Sequence, residues 1–220
     1  YAAQGGDWGH WVVRELGAKY SERCKAVHTN MCPSQPPVED QNEWTEREKT
    51  AQGMTDWWLG KPGKEWHMGY AVEMRTRPQT IGIAFSDNPV GIMMFVGEKY
   101  HELVDPKYRD LSNTEFVNDV LTTVCLYYFT SPSIMTSMLC YYNNVRHEDY
   151  VEFNTKEENK IKAPFGFSSF RYDISPTSQR ACQTTGNCKW FKGIVLTSLN
   201  VMENRLIFCR ERLWRPFCST

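Results

Sequence analysis

The sequence has little net charge, no long apolar run and no paired metal ligands, and each shortage excludes a class of function. A formal charge of −1 over 220 residues leaves no electrostatic footprint for nucleic acid or an anionic membrane surface. No apolar stretch approaches the roughly 20 residues that a membrane-spanning helix needs. The longest, at 92–96 and 124–129, are the size of core segments. A basic, apolar secretion signal is missing at the N-terminus. The chain opens on Tyr1 and not on methionine, so upstream sequence is expected, and any membrane anchor with it. The compartment is cytoplasmic by default, and the oligomeric state stays open. Histidine is absent beyond His147, and the eight cysteines are not spaced as zinc ligands, so no metal is expected. Nor does a chain this long need a disulfide scaffold; Cys24, Cys32, Cys125 and Cys140 read as small buried hydrophobes.

What is present is a globular composition, 41% hydrophobic and 14% aromatic, enough to bury a substantial core. Residues 1–36 read as turn, helix and strand. Trp11, Val12, Leu16 and Tyr20 give a helical stripe, and Lys25 to Asn30 is a short strand stopped by Pro33. Residues 37–150 are mostly helical, with helices expected over 39–58, 89–103, 113–129 and 131–144, the pattern of a lid inserted over a site. A strand returns over 161–170, within a core segment at 151–178. The last zone, 179–220, changes character. From Ala181 onward six Lys or Arg stand against two acids, half the cysteines gather there, and the one expected strand is 193–196. The fold class is α/β, with an incomplete central sheet and a large helical insertion.

The candidate chemistry begins at Gly5-Gly6-Asp7-Trp8-Gly9. Glycines flanking a central residue, between a strand and a helix, are the pattern of a nucleophile elbow, here with Asp7 at its apex. Gly5 and Gly9 would allow the close chain approach that a sharp turn demands. The following helix would place its positive end beside the carboxylate. A plain strand-to-helix turn with an Asp cap is the competing reading.

Further along, His28-Thr29-Asn30-Met31-Cys32-Pro33, Gly69-Tyr70, Thr76-Arg77-Pro78-Gln79-Thr80-Ile81-Gly82, Ser86-Asp87-Asn88-Pro89-Val90-Gly91, Leu126-Tyr127-Tyr128 and Ala163-Pro164-Phe165-Gly166-Phe167-Ser168 follow in order. Together with the elbow, these segments resemble the epoxide hydrolases of the α/β-hydrolase fold, in their microsomal-type and fungal branch, over residues 4–178. The resemblance implies a small apolar epoxide and water as substrates, and no cofactor. It makes Asp7 the nucleophile, ionised at neutral pH without a base because a carboxylate titrates near ~3.9. It makes two lid tyrosines, placed at Tyr70 and Tyr142, the proton donors to the opening ring. The backbone N–H of Trp8 becomes half of an oxyanion pocket, and Asp173 the acid that orients a base.

Two parts of that pattern are unmatched. The family's histidine, in a Gly-Gly-His-Phe segment some 25–30 residues past the acid, has no counterpart here, and the second oxyanion loop would precede Tyr1. His10, His28, His67, His101 and His147 all lie upstream and read as packing or surface residues. The expectation is an enzyme-type chain that lacks part of its catalytic domain. A haloalkane dehalogenase, with halide-binding donors in the lid, and a non-catalytic remnant serving as an interaction partner are the alternatives.

Overall fold

The computed structural model describes residues 1–130, 134–144, 153–154 and 156–194. They form two compact units, Trp58–His147 and the described parts of the flanking segments Tyr1–Trp57 and Glu148–Thr220.

The flanking segments make an α/β layer. Four parallel strands lie side by side in chain order: β1 (Ala2–Gly5), β2 (Ala26–Thr29), β3 (Ile161–Phe170) and β4 (Gly186–Ile194). The register runs Ala3 to Val27, Val27 to Phe165 and Phe165 to Cys188. All of β2 and most of β3 are buried, so neither shows the polar alternation of a one-faced sheet. Helix α1 (Trp8–Lys19) joins β1 to β2. Its Val13 meets Val27, Ile161, Phe165 and Phe167 in the core, with Cys24, Cys32 and Cys182 filling the gaps.

Helix α2 (Glu46–Leu59) opens on a capping box. Thr45 Oγ1 accepts from the Glu48 N–H, and Glu48 Oε2 accepts from the Thr45 N–H at 2.9 Å. Glu48 is almost fully buried. It also takes a two-pronged pair from Arg180 and a 2.6 Å bond from the Ser178 hydroxyl. These donors, Arg180 first, hold its carboxyl well below the usual range despite burial. Arg47 donates to the Thr177 carbonyl and covers the Phe191 ring.

These contacts correct two expected boundaries. The first three turns of α2 belong with the α/β layer, so the helical unit starts at Trp58 and not at 37. The composition break at 179 is no break in the fold, because α8 (Gln179–Gln183) and β4 complete the layer through the Arg180 pair and the parallel pairing of β4 with β3, which shifts register between Ile161 and Gly166. The part of the expected 193–196 strand beyond Ile194 lies outside the described residues, as does the rest of the tail.

The second unit is helical: α3 (Gly69–Thr76), α4 (Pro78–Asp87), α5 (Pro89–Leu103), α6 (Thr114–Phe129) and α7 (Met135–Asn144). Proline at the first position starts α4 and α5, and Asn88 caps α5 by accepting from Val90 N. Helices α3 and α4 lack the alternation that would separate them from a loop in the sequence; the 89–103 and 113–129 expectations fall on α5 and α6 with Asn113 as cap. The core is Ile92, Val124, Ile134 and Met138. Among the described residues no single helix is long and apolar enough to cross a membrane.

Candidate active site

Strand β1 ends at Gly5 and α1 begins at Trp8, so the chain reverses within two residues. Asp7, the N-cap, sits at φ 47° and ψ −128°, and is the one non-glycine with positive φ among the described residues. Such a conformation costs about 1–3 kcal/mol and persists only where the surroundings enforce it. Crowding enforces it here. A Cβ on Gly5 would run into the Gly9 carbonyl and touch Val13, and one on Gly6 would strike the Asn30 carboxamide. Gly9 itself has open space around its Cα. The elbow therefore needs Gly5 and Gly6, whereas Gly9 contributes its carbonyl and not a missing side chain. The Asp7 side chain is exposed, and its Oδ1 accepts from the Trp8 N–H at 2.8 Å.

Asn30 lies just past β2 and Asp173 three residues past β3, so both stand with Asp7 at the carboxyl ends of the strands, where α/β sheets place ligands. Asn30 Nδ2 donates to Asp173 Oδ2, and the Ser175 N–H donates to Oδ1, each at 3.3 Å. Burial pushes the Asp173 carboxyl up to about 6; the Ser175 amide and Asn30 pull against it, and the Asp7 charge adds to the rise. Asp173 feels the Asp7 charge and is bonded to Asn30, which crowds Gly6 beside Asp7, so these three polar residues form one cluster.

In the helical unit Tyr70, on α3, is half-buried. Its ring meets Tyr141 edge-to-face, with centroids 5.9 Å apart and planes at 81°. The expected partner, Tyr142, is 41% exposed. The helix period explains the difference: Ile134 and Met138 are buried, and Tyr141 continues that stripe while the next residue turns 100° away.

No protein-family model matches the chain. It is 32% identical over 187 residues to a Dothistroma septosporum protein named as an epoxide hydrolase, which covers 85% of this chain and 40% of that one. Epoxide hydrolase 1 of Sus scrofa is 28% identical, over 78% of this chain and 40% of its own length. Among solved structures, the Aspergillus niger epoxide hydrolase superposes with a TM-score of 0.70 at 32% identity, covering 87% of this chain and 45% of that chain. The juvenile hormone epoxide hydrolase of Bombyx mori gives 0.72 at 19% identity, a likeness of fold. The chain belongs with the epoxide hydrolases of the α/β-hydrolase fold. It spans about two fifths of the length of the curated relatives it matches.

Within this epoxide hydrolase-type chain several expectations need adjusting. The Trp8 N–H, expected as an oxyanion donor, is engaged by the Asp7 carboxylate itself. His10 and His28 are buried, against Thr29 Oγ1 at 3.2 Å and Ser168 Oγ at 3.1 Å. Burial drops them to about 3 and about 4, so both stay neutral at physiological pH. His67 is no bystander: its Nδ1 lies 2.7 Å from Glu102 Oε1. His147 lies outside the described residues. Trp66 and Phe129 point outward at 80% and 76% exposure. Asn30 is the functional candidate that residue-by-residue reading passed over; its place next to His28-Thr29, at a strand end, is the signal that finds it.

Proposed function

We propose that the chain opens epoxides through Asp7, with the phenols of Tyr70 and Tyr141 as proton donors. A carboxylate oxygen attacks a ring carbon, the C–O bond of the strained ether breaks, and an ester to Asp7 forms. The released alkoxide takes a proton from a phenol, a group acidic enough to give it and still protonated at neutral pH. The observation that supports this reading best is the strained backbone at Asp7, enforced by two crowded glycines, since such strain is retained where it serves a reacting group. Asp173, with its raised carboxyl, fits the acid that orients a base, but this sequence places no histidine after it. In the 220-residue chain the ester is therefore expected to form and to persist, because the sequence supplies no histidine after Asp173 to activate water.

Intact-mass spectrometry of the 220-residue chain after addition of styrene oxide tests this. One adduct, mapped to Asp7 and absent from Asp7→Asn, is the expected result. Steady diol release at rates typical of enzymes, or labelling at another residue, overturns it.

A further inference from the structure

The reading above gives Tyr70 a proton to donate, and the surroundings of its ring go further. Lys99, on α5, puts its ammonium nitrogen 5.0 Å from the centroid of the Tyr70 ring and 5.3 Å from that of Trp58. Trp58 is 3% exposed and tilts against Tyr70 at 6.0 Å. The ammonium is tethered from behind, by Glu102 Oε2 at 2.7 Å and Glu98 Oε1 at 2.8 Å. The second Glu102 oxygen meets His67, whose ring stacks on Trp58 at 5.5 Å. A lysine tail ordinarily keeps its head in water at the cost of few contacts. Here three elements converge to hold one against two aromatic faces.

We propose that Lys99 is a positioning residue for Tyr70: its ammonium, tethered by Glu98 and Glu102, fixes the ring and stabilises the charge the phenol acquires on giving up its proton. A cation over an aromatic face is attracted by the ring, and more strongly by the ring of a phenolate. The inference rests on the donor role given to Tyr70, but the acidity of that phenol can be measured without any reaction. The charged or titratable groups set around the ring include Lys99, Glu98 and Glu102 from α5, His67 from the turn before α3, and the Tyr141 phenol from α7. Burial pulls the Lys99 ammonium down, yet the two carboxylates outweigh it and it stands above its usual range, so the side chain is a cation at neutral pH.

The test is a titration of the Tyr70 phenol in the full chain carrying tyrosine labelled with ¹³C at the ring Cζ, its resonance assigned by loss in Tyr70→Phe. Lys99→Met is expected to raise the phenol pKa by about 0.5–1 unit, and Glu102→Gln to lower it, each charge acting over several ångströms of partly screened space. Lys99→Arg, which keeps the cation, is expected to stay within a few tenths of the wild-type value. A structural role alone would move Lys99→Met and Glu102→Gln in the same direction. An unshifted phenol in Lys99→Met, or shifts of like sign in the two variants, overturns the inference. If Lys99→Met does not fold, the Glu102→Gln and Lys99→Arg titrations decide it by the same signs. Should the wild-type chain fail to open styrene oxide while these shifts appear, the functional reading falls and the placement of Lys99 stands.

Discussion

The two units differ in where their most conspicuous polar and apolar residues lie, although the helical unit also buries Asp105 and Asp119 and the α/β layer also exposes Val12 and Tyr20. The α/β layer buries charge: Arg14 and His10 have no exposed surface, and Glu48 is clamped by Arg180. The helical unit leaves grease in the open, with Ile83, Val90, Met94, Leu126 and Phe129 all more than half exposed. The difference follows from what each has to hold. A parallel sheet is buried on both faces, so polar side chains at its margins are held by neighbours from several elements, as Glu48 is by Arg180 and Ser178. The helical unit packs short helices around four core side chains and holds its polar groups in local clusters, among them the cage of Trp58, Tyr70, His67, Lys99 and Glu102 and the buried Tyr108–Asp119 bond.

Perturbing one unit at a time sharpens this contrast, with hydrogen exchange read by mass spectrometry reporting each unit's peptides separately. The largest effect is expected from Phe165→Ala, at the centre of the sheet, where the lost contacts and the cavity cost about 3–5 kcal/mol. Protection should fall in β2, β3 and β4; unchanged exchange there would deny Phe165 its central place. Met138→Ala in the helical core is expected to cost about 2–3 kcal/mol, with loss confined to α3–α7 peptides.

Next comes Glu48→Gln, expected to cost about 2 kcal/mol, because Arg180 and Ser178 lose their charged acceptor. The Glu48 carboxyl titrates lower in the folded chain than in the unfolded one. Its contribution is therefore complete above the ordinary glutamate range and is lost as the pH falls below about 4. The mutant's deficit, measured by urea denaturation, should shrink in acid; a deficit independent of pH would mean the carboxylate charge is not what stabilises.

The smallest effect has the opposite sign. The folded Asp173 carboxyl titrates at about 6, above its unfolded value, so ionisation opposes folding increasingly from about pH 4 to 6 and uniformly above. Asp173→Asn is expected to stabilise the α/β layer by about 1 kcal/mol at pH 7 and not at pH 4. Destabilisation at neutral pH would show that the Asn30 and Ser175 bonds outweigh the burial of charge.

Much of this was open to reading in the residues. The elbow, strand β3 and helices α5 and α6 announce themselves, since glycine spacing, an apolar β-rich run and proline or asparagine starts are local signals. Three things were not legible, each for a physical reason. The choice between Tyr141 and Tyr142 turns on helical phase, which two adjacent identical residues cannot reveal. Helices α3 and α4 follow each other within two residues, and neither has a clean stripe. The membership of 179–194 in the α/β layer rests on the pairing of β4 with β3 and on Glu48 meeting Arg180, and no local composition can encode contacts of that range.

The same separation bears on how the protein is made. His28 bonds to Ser168 and Glu48 to Arg180, partners 140 and 132 residues apart. At some 5–20 residues per second, the ribosome leaves the first two strands waiting roughly 10 s or longer for their neighbours. Through that interval β2 has one open edge and Glu48 no guanidinium. The nascent chain thus carries Asp7 on a half-built wall, and binding by a chaperone would matter most before residue 160 has emerged.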